Sequence, residues 1–327
     1  MDVYLFEQLL ELLQRAKYPV LIADERIDDD SLGASLAVAD YLAHIGKPTR
    51  VYVSNSLPAR YQTFPHADWC TDDASIFKNE EIDLVVSFDC SDREYIRELV
   101  SKVHGTPFLV NVDHHNSNPR YGDLNVLFTT APATCEVVYR FFKHNHIEIS
   151  REVATCLLSG ICFDTGIFSN SATDEQAFCA ASELMLCGAR IQDVIRSLFQ
   201  NRSVAVLRLW GIAFERIIKH SSNGILSTFL TRKDIEENSV TDDDVDGLSN
   251  FLSLVSEDHS VFVLRETADG GIKMSMRSQH LDVSSIAKAL GGGGHKKAAG
   301  FTISNARIKE NTRGGWRIEP HSVIMKA

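Results

Sequence analysis

The chain has 327 residues, of which 44% are hydrophobic and 24% charged, with a formal net charge of −11. That length suits two globular units, each large enough to bury its own core, and the composition is that of an ordinary water-soluble protein. The acidic balance argues against a protein that wraps long nucleic acid, because sequence-independent affinity comes from many Lys and Arg contacts to phosphates. No apolar run approaches the length of a bilayer span, and the opening Met1-Asp2-Val3-Tyr4-Leu5-Phe6-Glu7 lacks the basic flank of a signal peptide, so no membrane partner is expected. The seven cysteines are odd in number and contain no C-x-x-C pair. They read as reduced thiols of a cytoplasmic protein, with Cys162 and Cys179 as core fillers.

In chain order, Leu5, Leu9, Leu12 and Leu13 repeat at helical spacing and predict an amphipathic helix. Tyr18 to Ala23 reads as a strand, Asp24 to Ser31 as a polar loop, and Leu32 to Ile45 as a helix closed by Gly46. Lys47 to Ser54, Ile82 to Asp89 and Pro107 to Asp113 read as further strands, with a helix around Asp92 to Val103. Thr134 to Asn145, Arg151 to Phe163, Thr173 to Cys187 and Ile191 to Phe199 read as helices. This alternation predicts an α/β domain over residues 1–200, a mostly parallel sheet with helices on both faces.

The pattern changes near Asn201, and residues 201–327 read as a smaller α/β domain. Val204 to Ile218 and Asp243 to Val255 are predicted helices; Ile225 to Leu230, Ser260 to Glu266 and Ile272 to Arg277 are predicted strands. Asp269-Gly270-Gly271 signals a hairpin turn. Asn305 to Ala327 carries little signal and reads as partly loose.

The chemistry concentrates where apolar runs end in acids. Asn111-Val112-Asp113-His114-His115-Asn116 closes one such run, and Asp24 to Asp30, Asp89 and Asp164 read as three more acidic strand ends. The carboxyl edge of an open α/β sheet is where ligands usually bind. Asp28 and Asp30 lie two apart, so one turn can aim both carboxylates at one volume. Oxygen ligands at this density favour Mg2+ or Mn2+, and imidazole shifts the preference toward Mn2+. Taken singly, each feature also has a plainer reading. Asp30 or Ser31 can cap the next helix, Asp89 can start a loop, and Asp164-Thr165-Gly166 is good turn chemistry. Gly33 is expected to leave room for a ligand beside the helix start. The run Gly291-Gly292-Gly293-Gly294-His295-Lys296-Lys297 is either a flexible hinge or a backbone cradle for an anion.

Taken together, the Asp-x-Asp with its nearby glycine, the strand-terminal Asp89, Asp113-His114-His115 and Asp164-Thr165-Gly166 resemble the four motifs of the DHH-family phosphoesterases. Lys273 to Ser278 and the glycine run resemble that family's DHH-associated C-terminal domain, so the likeness extends from about Val20 to Phe301. Within the family it is most similar to the stand-alone nanoRNase and pAp-phosphatase type. The resemblance implies a site in a cleft between two domains, with two Mn2+ ions (Mg2+ or Co2+ as substitutes). Asp28 and Asp89 would hold one ion, and Asp30, Asp89, His114 and Asp164 the other. His115 would meet the scissile phosphate, with Asp113 orienting the imidazoles. Arg277, Ser278, Gly293, Gly294, His295 and Lys297 would grip the substrate, a short oligoribonucleotide or 3′-phosphoadenosine 5′-phosphate. A homodimer is compatible with the family.

Two positions depart from the pattern. Asp24 stands where phosphatase-like relatives usually have a metal-binding His and is expected to take its place as a metal ligand, and Ala34 stands where many have Ser. The first leaves two alternatives open beside the main reading. One is a cyclic-dinucleotide phosphodiesterase, and the other a nucleotide-binding protein with a weakened metal site.

Overall fold

The leucine repeat forms α1 (Asp2–Arg15), which buries Phe6, Leu9 and Leu13. The computed structural model describes residues 2–320 except 63, 171, 197, 199–202, 246, 257–259, 295 and 311–314. The chain divides into two units, Met1–Asn201 and Arg202–Ala327.

In the first unit the elements run β1 (Tyr18–Ile22), α2 (Asp29–His44), β2 (Arg50–Tyr52), β3 (Cys70–Thr71), β4 (Ile82–Phe88), α3 (Arg93–Val100), β5 (Phe108–Asp113) and β6 (Leu124–Leu127). Four helices follow: α4 (Thr134–His144), α5 (Arg151–Asp164), α6 (Glu175–Leu186) and α7 (Ile191–Ile195). The strands make one six-stranded parallel sheet in the order β3-β2-β1-β4-β5-β6. Alternation along the strands splits the core. Leu21, Val86, Val110 and Val112 pack with α1, α2, α4 and α5, whereas Val20, Ile22 and Val85 pack with Ile96 and Leu99 of α3. Helices therefore cover both faces, as the continuous apolar runs require. The strand order reverses between β1 and β4, and the crevice outside the carboxyl ends at such a reversal is the natural place for a ligand.

The second unit contains α8 (Val204–Glu215), β7 (Ile218–Lys219), β8 (Leu226–Leu230), α9 (Arg232–Glu237), α10 (Asp242–Val245), α11 (Leu248–Val255), β9 (Ser260–Glu266) and β10 (Ile272–Ser278). It ends with α12 (Val283–Ala289), β11 (Gly293–Gly294), β12 (Ala298–Ile303), β13 (Ala306–Glu310) and β14 (Trp316–Pro320). A mixed sheet runs β11-β12-β10-β9-β8-β7, and β13 pairs with β14 as a separate hairpin. Thr267 N–H donates to the Gly271 carbonyl at 2.8 Å and closes the expected turn.

Several expectations are corrected. α2 starts at Asp29 instead of Leu32, because Asp28 caps it. Asp164 ends a helix, not a strand. The helix expected over Asp243 to Val255 is broken before Leu248, where Gly247 takes a φ of 95°. Within the segment expected to be loose, Ala306–Glu310 and Trp316–Pro320 pair as strands. Cys162 is buried, but Cys179 lies on the outer side of α6 and is exposed. All seven cysteines are free, and among the described residues no helix is long and apolar enough to cross a membrane.

Candidate metal centre

The site is built first on the end of β5. Asp113, its last residue, is fully buried and turns its carboxylate back along the following loop. Oδ1 accepts the backbone N–H groups of His114 (2.6 Å) and His115 (2.9 Å) and meets His115 Nδ1 at 2.5 Å. Oδ2 accepts from Asn118 Nδ2 at 2.5 Å and from the Ser91 hydroxyl at 3.1 Å. Burial pushes this carboxyl up, but the hydrogen bond and charge of His115, with Asn118, outweigh it and bring the pKa down to about 2. Asp113 therefore stays an anion that fixes the His115 ring.

His114 is held through its other side. Nδ1 donates to the Ala131 carbonyl at 3.1 Å, which turns Nε2 toward Asp164 Oδ2 (3.1 Å), Asp89 Oδ1 (3.6 Å) and Asp30 Oδ2 (4.0 Å). An imidazole tied by one nitrogen to a backbone carbonyl and aimed with the other at carboxylates has the arrangement of a metal ligand. Burial lowers its pKa, but the hydrogen bond and charge of Asp164, followed by Asp30 and Asp113, raise it to about 10. In the chain alone, a proton on Nε2 offsets only part of the repulsion among these acids.

Asp89 follows β4 with a φ of 59°, a left-handed conformation that Asp tolerates better than most residues and that recurs at functional sites. Its N–H bonds to Val112 O at 2.9 Å, and its Oδ1 accepts the Thr134 hydroxyl at 2.8 Å. Burial, then repulsion from Asp30, Asp28, Asp113 and Asp164, drives its pKa well above the usual carboxylate range.

The other carboxylates come from α2 and α5. Asp28 caps α2, accepting from the N–H groups of Asp30 (3.1 Å) and Ser31 (2.9 Å), so neither Asp30 nor Ser31 is the cap. Burial, then the charges of Asp164 and Asp30, raises its pKa strongly. Asp30 reaches across to α4, whose own cap position is Ala133 and offers no side-chain acceptor. Asp30 Oδ2 and Oδ1 accept the N–H groups of Thr134 (2.6 Å) and Cys135 (2.7 Å), and so cap that helix from another element. Burial and Asp164 raise its pKa to about 6, against the favourable effects of His114 and Cys135.

Two groups of donor atoms result, each with its atoms within 4.8 Å of one another: Asp30, His114 and Asp164, and Asp89, Asp113, His114 and His115. They share His114. Asp24 and Asp28 belong to neither group. Asp24 Oδ1 accepts the Arg26 N–H at 2.8 Å, although Asp24 also feels the charge of His115 and contributes to the repulsion on Asp28.

The remaining expected site residues lie in the second unit. Arg277 Nε donates to Asn250 Oδ1 at 2.6 Å and Nη1 to the Met276 carbonyl at 2.9 Å. Ser278 is buried; its hydroxyl pairs with that of Ser260 at 2.8 Å and accepts the N–H groups of His280 and Leu281. Lys297 offers its carbonyl to the Ser278 N–H at 2.9 Å. Gly293 and Gly294 form β11 against Gly300 and Ala299, and His295 lies outside the described residues. A Cβ on Gly292 would sit 2.2 Å from Gly300 O, so the glycine run is packed against β12 and is not a loose hinge there.

Gly33 also has another explanation than the one expected. A Cβ there would lie 2.5 Å from Cys156 O, so the missing side chain admits the backbone of α5, not a ligand. Among the residues that hold the acids, sequence reasoning overlooked Asn118, Ser91 and Gly160 and gave Thr134 no role. A polar residue opening a helix after Ala131-Pro132-Ala133 was the available signal for Thr134, but nothing local marks Gly160. Glu136, one further along α4 from Cys135, is 1% exposed; its Oε1 accepts from Arg140 Nε at 2.5 Å, while Oε2 has no hydrogen-bond partner among the described residues.

Such a packing of mutually repelling, buried carboxylates around one shared imidazole fits divalent cations, which supply the opposing charge that one protonated His114 cannot. The oxygen and imidazole donors are those of Mn2+ or Mg2+ sites, with no thiolate in either group.

The chain is similar to known proteins over most of its length. Residues 20–161 match the model of the DHH family, N-terminal domain, and residues 223–313 that of the DHHA1 domain. The chain is 30% identical over 306 residues to a bifunctional oligoribonuclease and PAP phosphatase of Thermus thermophilus, covering 92% of this chain and 89% of that protein. A probable enzyme of the same description from Streptococcus mutans is 26% identical, with 84% and 85% covered. The fold is shared with an exopolyphosphatase-related protein from Bacteroides fragilis, at a TM-score of 0.83 and 22% identity over 91% of this chain and 90% of that one. With motifs, topology and full-length similarity in accord, this chain is a member of the DHH family.

Proposed function

We propose that this protein is a metal-dependent phosphoesterase that hydrolyses very short oligoribonucleotides and 3′-phosphoadenosine 5′-phosphate in the cytoplasm. The observation that carries the reading is the convergence of Asp30, Asp89, His114 and Asp164 around a shared imidazole at the reversal of the sheet. Asp28 and Asp89 are the residues we assign to one Mn2+ and Asp30, Asp89, His114 and Asp164 to a second. When bound, such a pair supplies an activated hydroxide and neutralises charge on the attacked phosphate. Asp113 holds His115 by Nδ1, which commits Nε2 to the phosphate of the substrate. The Asn250 and Met276 contacts of Arg277 orient its guanidinium, which suits it to bind a phosphate with the glycine edge and Lys297.

The relatives from Thermus and Streptococcus are described as acting on oligoribonucleotides and PAP, and they match over most of their length. A net charge of −11 is compatible with a ligand a few nucleotides long and unfavourable for a long strand. The test is Mn2+-dependent release of mononucleotide from a dinucleotide compared with a long RNA, alongside Asp89→Asn. The expected outcome is preference for the dinucleotide and loss of nearly all turnover in the folded variant. Unchanged hydrolysis by Asp89→Asn would refute the metal assignment. Turnover of a cyclic dinucleotide but not of the dinucleotide or PAP would overturn the substrate assignment.

A further inference from the structure

Between Asp28 and Asp30 stands a third acid that the proposed chemistry leaves unused. Asp29 is 2% exposed. Successive helix positions point about 100° apart, so Asp29 diverges from its neighbours. Its Oδ1 accepts the hydroxyl of Tyr61 at 3.0 Å and its Oδ2 that of Ser159 at 2.5 Å. Both donors are buried, and Arg60 Nη2 donates to the Tyr61 oxygen at 3.0 Å. Burial, then the negative charge of Asp29, keeps the Tyr61 phenol protonated and thus a donor.

These bonds connect three stretches distant in sequence. Tyr61 lies in the β2–β3 connection; Ser159 lies in α5, one residue before Gly160 and five before Asp164. A buried carboxylate is costly unless satisfied, and here both of its oxygens accept hydroxyl donors. The bond to Ser159 joins the start of α2, which carries Asp28 and Asp30, to the helix that ends in Asp164. The close approach of α2 and α5 at Gly33 and Gly160 packs the two helices together, and this bond adds a directional polar tie at the metal-facing end.

We infer that Asp29 is a positioning residue: clamped by Tyr61 and Ser159, it sets the spacing between the carboxylates of α2 and that of α5 and so determines how tightly the centre binds divalent metal. The inference rests on the metal-binding reading above. Its test is Mn2+ binding to the metal-free protein by calorimetry and by the spin-resonance signal of free Mn2+, for the parent, Asp29→Ala, Asp29→Asn, Tyr61→Phe and Ser159→Ala. Thermal melts of the metal-free proteins run alongside. Loss of an outlying contact that orients metal ligands typically weakens affinity by about 10- to 100-fold, and Asp29→Ala is expected in that range. Asparagine can accept from one hydroxyl and donate to the other, so Asp29→Asn is expected to stay within about threefold of the parent. Tyr61→Phe and Ser159→Ala each remove one bond and keep the test open if Asp29→Ala does not fold. A lower melting temperature with parental Mn2+ affinity in the folded variants would make Asp29 merely structural and overturn the inference. Failure of the parent itself to bind Mn2+ would instead defeat the underlying metal reading, and this inference with it.

Discussion

Gly160→Ala tests the packing that brings α5 against the acid at the start of α2. A methyl group at this position would lie 2.3 Å from Cys135 Sγ, 2.6 Å from Asp30 Oδ1 and 2.8 Å from Asp30 Cα. The carboxylate cannot swing away without giving up the Thr134 and Cys135 N–H groups, and the Cα belongs to the helix itself. Overpacking of a close-packed core costs about 1–3 kcal/mol, and contacts this short with backbone belong at the upper end. Replacing a mid-helix glycine by alanine returns about 1 kcal/mol of helix propensity. The clash wins by roughly 2 kcal/mol, which for a unit of about this size lowers the melting temperature by roughly 4–8 °C. Because the displaced group is Asp30, Mn2+ affinity should fall by about tenfold as well. Gly211→Ala in α8 is the control, since among the described residues nothing lies within 4 Å of its added Cβ; it should leave stability unchanged or raise it. Scanning calorimetry and Mn2+ titration of both variants are sufficient. Were Gly160→Ala to melt within about 1 °C of the parent with unaltered Mn2+ affinity, the account of α5 packing would be wrong.

The pH dependence follows from groups shifted in opposite directions. Asp28 and Asp89 are raised strongly and Asp30 to about 6, from an ordinary 3.8, so each costs stability while ionised in the fold and the cost is relieved as pH falls toward that range. His114, raised to about 10 from 6.5, stabilises fully below its ordinary pKa and loses that contribution as pH rises toward 10. Asp113, lowered to about 2, stabilises above 3.8 and loses that contribution only as pH drops through about 2. Metal-free protein should therefore melt at a higher temperature near pH 5 than near pH 8, while the stabilisation by added Mn2+ shrinks over the same interval because protons compete for the ligands. A metal-free melting temperature that falls steadily from pH 8 to pH 5 would contradict this. For Arg277→Ala, whose guanidinium we assign to substrate binding, KM on a dinucleotide should rise more than kcat falls. A large loss of kcat at constant KM would argue against that role.

The acids and imidazoles were legible because each closes a run of apolar residues, a local pattern that needs no knowledge of the rest of the chain. Their order was specific enough to indicate the family. The helix start at Asp29 was harder to read: in Asp28-Asp29-Asp30-Ser31 every residue is a competent cap, and only packing chooses among them. Ser159 and Tyr61 engage Asp29, α4 engages Asp30, and Asp28 is left to cap its own helix. Those partners lie 130, 32 and 104 residues away in sequence, far outside any window that periodicity can use. β3 and β6 escaped notice for a related reason, being two and four residues long and strands by virtue of their neighbours. Composition leaves the glycine run at 291–294 open between a loose hinge and an anion cradle, and at Gly292 it is the close approach of β12 that excludes a side chain.

Part of what aims the clustered acids is backbone, not side chain. Asp30 is held by two backbone N–H groups, which every residue but proline possesses, and by the absence of a methyl group at Gly160. Asp89 depends on a left-handed backbone that its own residue type merely tolerates. A sequence displays the atoms that do chemistry because they are distinctive; it hides the atoms that orient them when those atoms are common to all residues. It follows that Cys135→Ala, which retains the N–H to Asp30 and removes a buried thiol, should disturb the centre less than Gly160→Ala, although it deletes the more reactive group.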